Sequence, residues 1–184
     1  TPHMPPGKVA MRDIIVIDRD GQKLEGFGEP NSETSMHTSI YQVRPDVQCI
    51  LHYHPDELVA VAAAGQGIKV IANCGVDFYR GTPIYDSPVL IRTEQLGDKV
   101  AATLADRNAV LLRGHGGTVV ANDLDTLLRL GLGLVRTARI QIMAATLGPL
   151  KTHSQEECEQ MVKFRDRPNA NRRYVDYYIS EVVD

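Results

Sequence analysis

No stretch of this 184-residue chain approaches the roughly 20 consecutive apolar residues that a membrane-crossing helix requires, so no membrane partner is expected. Lysine and arginine never gather in more than two neighbours, and the net charge is −3 with a pI near 6.0. A nucleic-acid partner therefore has no electrostatic footprint and is excluded. Cysteine is scarce. Cys49, Cys74 and Cys158 are scattered without a CxxC pair, which argues against a disulfide framework and fits small buried hydrophobes in a reducing cytoplasm. Internal repeats, low-complexity tracts and linkers are also lacking, so residues 1–184 read as one domain, long enough for a substantial core. The chain opens at Thr1 inside what reads as structured sequence, and an N-terminal portion of the domain is expected to be missing.

What is present alternates between strand and helix patterns. DIIVID (13–18) is a β-branched run followed by Arg19-Asp20-Gly21-Gln22, a strand and a hairpin reversal. Met36, Ile40 and Val43 recur at helical spacing from Glu33 until Pro45 stops them. VQCILHYH (47–54) reads as a buried strand, and Pro55, Asp56 and Glu57 open a helix that Gly65 ends. IKVIAN (68–73) and the segment around PVLIR (88–92) read as short strands, and 93–108 as an amphipathic helix. AVLLR (109–113) and TVVA (118–121) read as strands about a tight GHGG turn. Asp123–Leu147 is a long helix, Ser154-Gln155-Glu156-Glu157 a capping box, and 170–183 a final helix. The expectation is an α/β fold, three layers with a central sheet between helices.

Chemistry concentrates in four residues. ILHYHPDE (50–57) carries two histidines one residue apart; on an extended strand His52 and His54 point the same way, about 6–7 Å apart at Cα. That spacing lets two imidazoles share one ion. His115 stands among glycines at the end of another buried strand and is the third candidate ligand. Three imidazoles with an open position match a catalytic zinc arrangement, though manganese, cobalt or iron would suit them too. Glu33 is the fourth, either a ligand or proton-transfer group or, alternatively, a helix cap along with Ser32. His37 and His153 read as surface or helix-end residues. Arg80, Arg92 and Arg113 are possible partners for a substrate carboxylate, and spacing does not choose among them.

PNSETSMHTSIYQVRPDVQCILHYHP, followed some sixty residues later by LLRGHGGTVVA, resembles the class II aldolase/adducin family, whose best-known members cleave fuculose 1-phosphate. The resemblance implies a three-layer α/β/α domain with a mixed or antiparallel central sheet, usually a homotetramer with active sites between subunits. It implies His52, His54 and His115 as ligands of a divalent metal, zinc first, and Glu33 as the acid that moves protons. The adducin branch lacks these ligands and is structural, so their presence points to an enzyme acting on a small molecule.

Against the sugar-phosphate members, Thr1-Pro2 is followed by His3-Met4 instead of Thr-Gly, and Asn31-Ser32 stands where Ser-Ser precedes the acid. Asn73 aligns with a tyrosine that serves as proton donor. Asn31, Ser32 and Asn73 remain the candidate substrate contacts. With the phosphate features replaced, the resemblance implies a metal-dependent carbon–carbon lyase for a non-phosphorylated substrate. A decarboxylase of a hydroxy or dihydroxy aromatic acid comes first, and an aldolase of a hydroxy-aldehyde, hydroxy-oxo acid or sugar phosphate second.

Overall fold

The computed structural model of the chain describes residues 8–165 and 172–182. They separate into two compact units, one made of residues up to Pro45 with Val89–Ala102, the other of Asp46–Pro88 with the chain from Thr103 onward. The contrast of Thr1–Met4 with the sugar-phosphate pattern lies outside the described residues.

In the first unit β1 (Val16–Ile17) pairs antiparallel with β2 (Lys23–Glu25), so the expected hairpin forms. Its first strand is shorter than the 13–18 expected, because Asp13 is spent on a turn. Its backbone N–H donates to Ala10 O at 2.8 Å, and its carboxylate accepts the Ala10 N–H at 2.8 Å. Asp18 Oδ1 organises the reversal by accepting the N–H groups of Asp20 and Gln22 at 2.9 and 2.8 Å. Helix α1 (Thr34–Val43) buries Met36 and Ile40 completely, and Pro45 follows its end as expected. From β4 of the other unit the chain returns through residues 89–93, where no strand forms. The Ile91 N–H, which a neighbouring strand would need, donates to Glu33 Oε1 at 3.1 Å. The Arg92 N–H turns back to Leu90 O. Helix α3 (Glu94–Leu104) follows, with Asp98 accepting the buried Ser39 hydroxyl at 2.8 Å.

The second unit holds a mixed four-stranded sheet in the order β3-β6-β5-β4: β3 (Cys49–Tyr53), β4 (Ile84–Tyr85), β5 (Ala109–Leu112) and β6 (Gly116–Ala121). All pairs are antiparallel except β4 with β5, which is parallel. Strand alternation sorts the side chains. Cys49, Leu51 and Tyr53 join Ala109, Leu111, Val119 and Ala121 in the core beneath α2 (Asp56–Ala63) and α4 (Leu124–Ala145). Val110, Leu112, Thr118 and Val120 take the opposite face and are equally buried. A sheet covered on both faces explains why AVLL and GTVVA are apolar runs without alternation.

IKVIAN is not a strand. The Lys69 N–H is taken by Gln141 Oε1 of α4 at 2.7 Å and Val70 O by the His153 N–H at 2.8 Å, so a side chain and a loop replace a ladder. A 3-10 segment, Asn73–Phe78, follows. Gly133 lets α4 lie against it, since a Cβ there would meet Cys74 O at 2.8 Å. The expected capping box opens α5 (Gln155–Arg165): Ser154 N–H donates to Glu157 Oε2 at 2.7 Å and Glu157 N–H to Ser154 Oγ at 3.2 Å. The final helix, α6 (Arg172–Val182), lies against α4, with Arg172 3.8 Å from Asp125.

Asp123 caps α4, its carboxylate accepting the Thr126 N–H at 2.7 Å, and that bond holds its pKa below the ordinary aspartate value. Asp123→Ala is expected to lower unfolding free energy by about 1 kcal/mol at neutral pH. A depressed folded pKa contributes stability above the unfolded value, about 3.9, and loses it as pH falls through the lower folded value. The wild-type advantage in urea unfolding should therefore hold at pH 7 and close in strong acid; an equal difference at both would remove the cap as its source.

Candidate metal centre

Three histidines from two places in the sequence converge in the second unit. His52 sits on β3 on the face away from α2 and α4, and His54 stands one residue beyond the strand's end, still on that face. The strand end is pinned from the other side by Tyr53, whose hydroxyl donates to Gly131 O of α4 at 2.7 Å. Pro55, in extended conformation, then turns the chain into α2. His115 comes from the β5–β6 turn, where its N–H donates to Leu112 O at 3.0 Å and Gly114 adopts a φ of +69° that favours glycine. Gly116 brings this turn close, because a Cβ there would lie 2.4 Å from Tyr53 O and 2.9 Å from His54 Cδ2.

The three Nε2 atoms form a near-equilateral triangle. His52 to His54 is 3.0 Å, and His115 lies 3.1 Å from each. His52 Nδ1 lies 3.2 Å from Gly117 O and 3.1 Å from Thr118 Oγ1. A carbonyl oxygen only accepts, so Nδ1 carries the hydrogen and Nε2 presents a lone pair to the triangle. Lone pairs aimed at one point repel each other unless a cation stands between them. Tetrahedral zinc–imidazole bonds of about 2.0–2.1 Å imply nitrogen separations of about 3.3–3.4 Å, so the triangle fits a first-row divalent ion with a small expansion. His54 is exposed and the other two half-buried, which leaves the centre an approach for a small molecule.

Glu33, in the first unit, is 7% exposed. It occupies the cap position of α1, but its side chain makes no capping bond, so the cap alternative fails; Oε1 accepts the Ile91 N–H instead. Asn31 Oδ1 accepts the Glu33 N–H at 2.8 Å and so sets the turn that aims Glu33. Asn31 and Ser32 are themselves exposed and line a polar cleft of about 280 Å³ with Arg19, Thr34 and Thr38. Asn73 is exposed at the start of the 3-10 segment of the second unit. Arg80 pairs with Asp106 and Arg113 with Asp86, so two of the three candidate carboxylate partners already hold acids.

His37, half-buried on α1 one turn after Glu33, has its pKa lowered by burial, with Glu33 pulling it back up. His153 precedes α5 as expected. A second cleft of about 790 Å³ lies on the other side of β3, lined by Leu51, Tyr53, Leu132, Arg136, Met143 and Tyr178, and includes none of the three histidines. Sequence reading placed Thr118 in a strand without assigning it any role at the site. The signal that would have found it is cross-strand register, which sets it opposite His52.

Comparison with known proteins is consistent with this geometry. Residues 2–142 match the family model described as Class II Aldolase and Adducin N-terminal domain. The 3,4-dihydroxyphthalate decarboxylase of Arthrobacter keyseri is 32% identical over 74% of this chain and 59% of its own length. The 5-deoxy-D-ribulose 1-phosphate aldolase of Bacillus thuringiensis serovar kurstaki is 26% identical over 82% of this chain and 70% of its own. A solved L-fuculose 1-phosphate aldolase superposes with a TM-score of 0.78 at 26% identity, covering 85% of this chain and 73% of that one. The chain thus spans 59% of the length of the decarboxylase it resembles.

Proposed function

This chain belongs to the class II aldolase and adducin family, and from that premise we propose that it is a divalent-metal-dependent carbon–carbon lyase, a decarboxylase of a non-phosphorylated hydroxy or dihydroxy aromatic acid. The observation that carries the reading is the triangle of three Nε2 atoms with the His52 lone pair directed inward. His52, His54 and His115 are the assigned ligands, zinc the assigned ion, and manganese, cobalt and ferrous iron the alternatives. When bound, the ion supplies Lewis acidity that offsets the negative charge left on carbon when a carbon–carbon bond breaks.

Glu33 is assigned to proton transfer by its match to the family's acid. Its burial lowers the dielectric around the carboxyl, and the Ile91 N–H fixes the orientation of Oε1, so the group is held in one place for proton transfer. As an acid it returns a proton to the carbon from which carbon dioxide has left. Asn31 keeps its role as the residue that sets the Glu33 turn, and with Ser32 and Asn73 it stays among the candidate substrate contacts. The decarboxylase choice draws support from the 32% identity to the dihydroxyphthalate enzyme and from the replaced phosphate features.

An aldolase is the second reading, favoured by the wider span of the match to the ribulose-phosphate enzyme, 82% of this chain. In that case Glu33 shuttles protons between oxygen and carbon. Among the described residues no helix is long and apolar enough to cross a membrane, and the three cysteines are free. A cytoplasmic homotetramer with sites between subunits is the assembly we assign, with α6 as a contact element.

Metal-reconstituted protein offered dihydroxy aromatic acids and hydroxy-aldehyde donors should release carbon dioxide from the former. It should hold about one ion per chain, lost in His52→Ala, His54→Ala and His115→Ala. Aldehyde release alone selects the aldolase reading, and undiminished metal in all three variants removes the ligand assignment.

Glu33→Gln should keep its ion and melting temperature while turnover falls roughly 10²–10⁴-fold. Loss of the ion would make Glu33 a ligand, and unchanged turnover would take it out of the mechanism. Light scattering at micromolar concentration should give the mass of four chains; a monomer removes the assembly assignment.

A further inference from the structure

His52 is held by a neighbour that no sequence motif singles out. Thr118 is fully buried at 0% exposure, and its Oγ1 lies 3.1 Å from His52 Nδ1. The two residues are direct partners across the β3–β6 ladder, so their side chains share one face. The β-branched Thr118 has restricted χ1 freedom, which fixes where its hydroxyl stands. Gly117 O is the other atom near Nδ1, at 3.2 Å, and as a backbone carbonyl it cannot be tuned by substitution.

We propose that Thr118 is a positioning residue for the histidine centre: its hydroxyl oxygen joins Gly117 O in accepting the His52 Nδ1–H, fixing the ring's orientation so that Nε2 faces His54 and His115. This rests on the metal-site reading given above. His54 is exposed and lies beyond the strand end, whereas His52 lies within the ladder and can be held by it. Ring orientation is thus fixed through the sheet, and one hydroxyl at a buried position carries the adjustable part of that hold. Partners of this kind change metal affinity by about 10–100-fold when removed.

Two substitutions separate the hydroxyl from the shape. Thr118→Val keeps the branched volume and removes the hydroxyl; Thr118→Ser keeps the hydroxyl and removes a buried methyl. Titration of Zn²⁺ against a competing chelator should show affinity weakened about 10–100-fold in Thr118→Val and near wild-type in Thr118→Ser. Melting temperature should follow the opposite order, falling by about 2–4 °C in Thr118→Ser. Because Gly117 O still accepts in Thr118→Val, ring nitrogen spectra of metal-free protein should show the His52 Nδ1–H form in all three proteins, with the Nδ1 resonance displaced in Thr118→Val and retained in Thr118→Ser. Zn²⁺ affinity that tracks melting temperature, or is unchanged in Thr118→Val, overturns the proposal. Should wild type take up none of Zn²⁺, Mn²⁺, Co²⁺ and Fe²⁺, the metal reading itself falls. The ring spectrum then decides the role of Thr118 alone, and an unchanged His52 Nδ1 resonance in Thr118→Val overturns it.

Discussion

The register between β3 and β6 is the constraint on which the site depends. With His52 opposite Thr118 and Tyr53 opposite Gly117, the strand directs 49, 51 and 53 into the core under α2 and α4 and presents 52 and 54 on the reverse. A slip of one residue would exchange those sets, burying two imidazoles in an apolar core and removing Leu51 and Tyr53 from it. The apolar cost of that exchange is what makes the register unambiguous, so the packing of one face specifies the chemistry of the other.

Further contacts reinforce the same alignment. The Tyr53 hydroxyl reaches Gly131 O through the core face, and burial pushes its pKa well above the ordinary tyrosine value, so it stays a neutral donor across the working range. On the reverse face the His52 ring is tied to the backbone and side chain of β6. Gly116 then admits the β5–β6 turn to within contact of His54, a distance no other residue would permit without moving backbone. Strand pairing, a helix contact and one missing side chain thus converge on a triangle with edges near 3 Å.

Much of this was legible in the chain itself, where local chemistry decides local structure. The two-residue period placed His52 and His54 on one face, the glycines flanking His115 marked the turn, and Ser154 with Glu157 announced the start of α5. The misreadings share a cause. IKVIAN and PVLIR have strand composition, yet their backbone groups are claimed by distant partners, Gln141, His153 and Glu33, which no short window contains. The parallel strand Ile84–Tyr85 was missed for the converse reason, being too short to show a period and existing only because β5 accepts it as an edge. The part of Thr118 was invisible because register belongs to two strands at once.

The Nε2 atoms of His52 and His115 belong to residues 63 positions apart, and the element joining their strands, β6, ends only at Ala121. Contacts of such separation form late, after the entropy of closing the intervening chain has been overcome. On a ribosome, the nascent chain carries its HxH pair into solution long before the turn that completes the triangle exists. Until then, exposed neighbouring imidazoles offer only a loose, two-armed grip on whatever cations the surroundings contain. On the metal-site reading proposed above, the choice of ion would fall to the finished sheet, and the order of synthesis would delay that choice until the geometry that discriminates has formed.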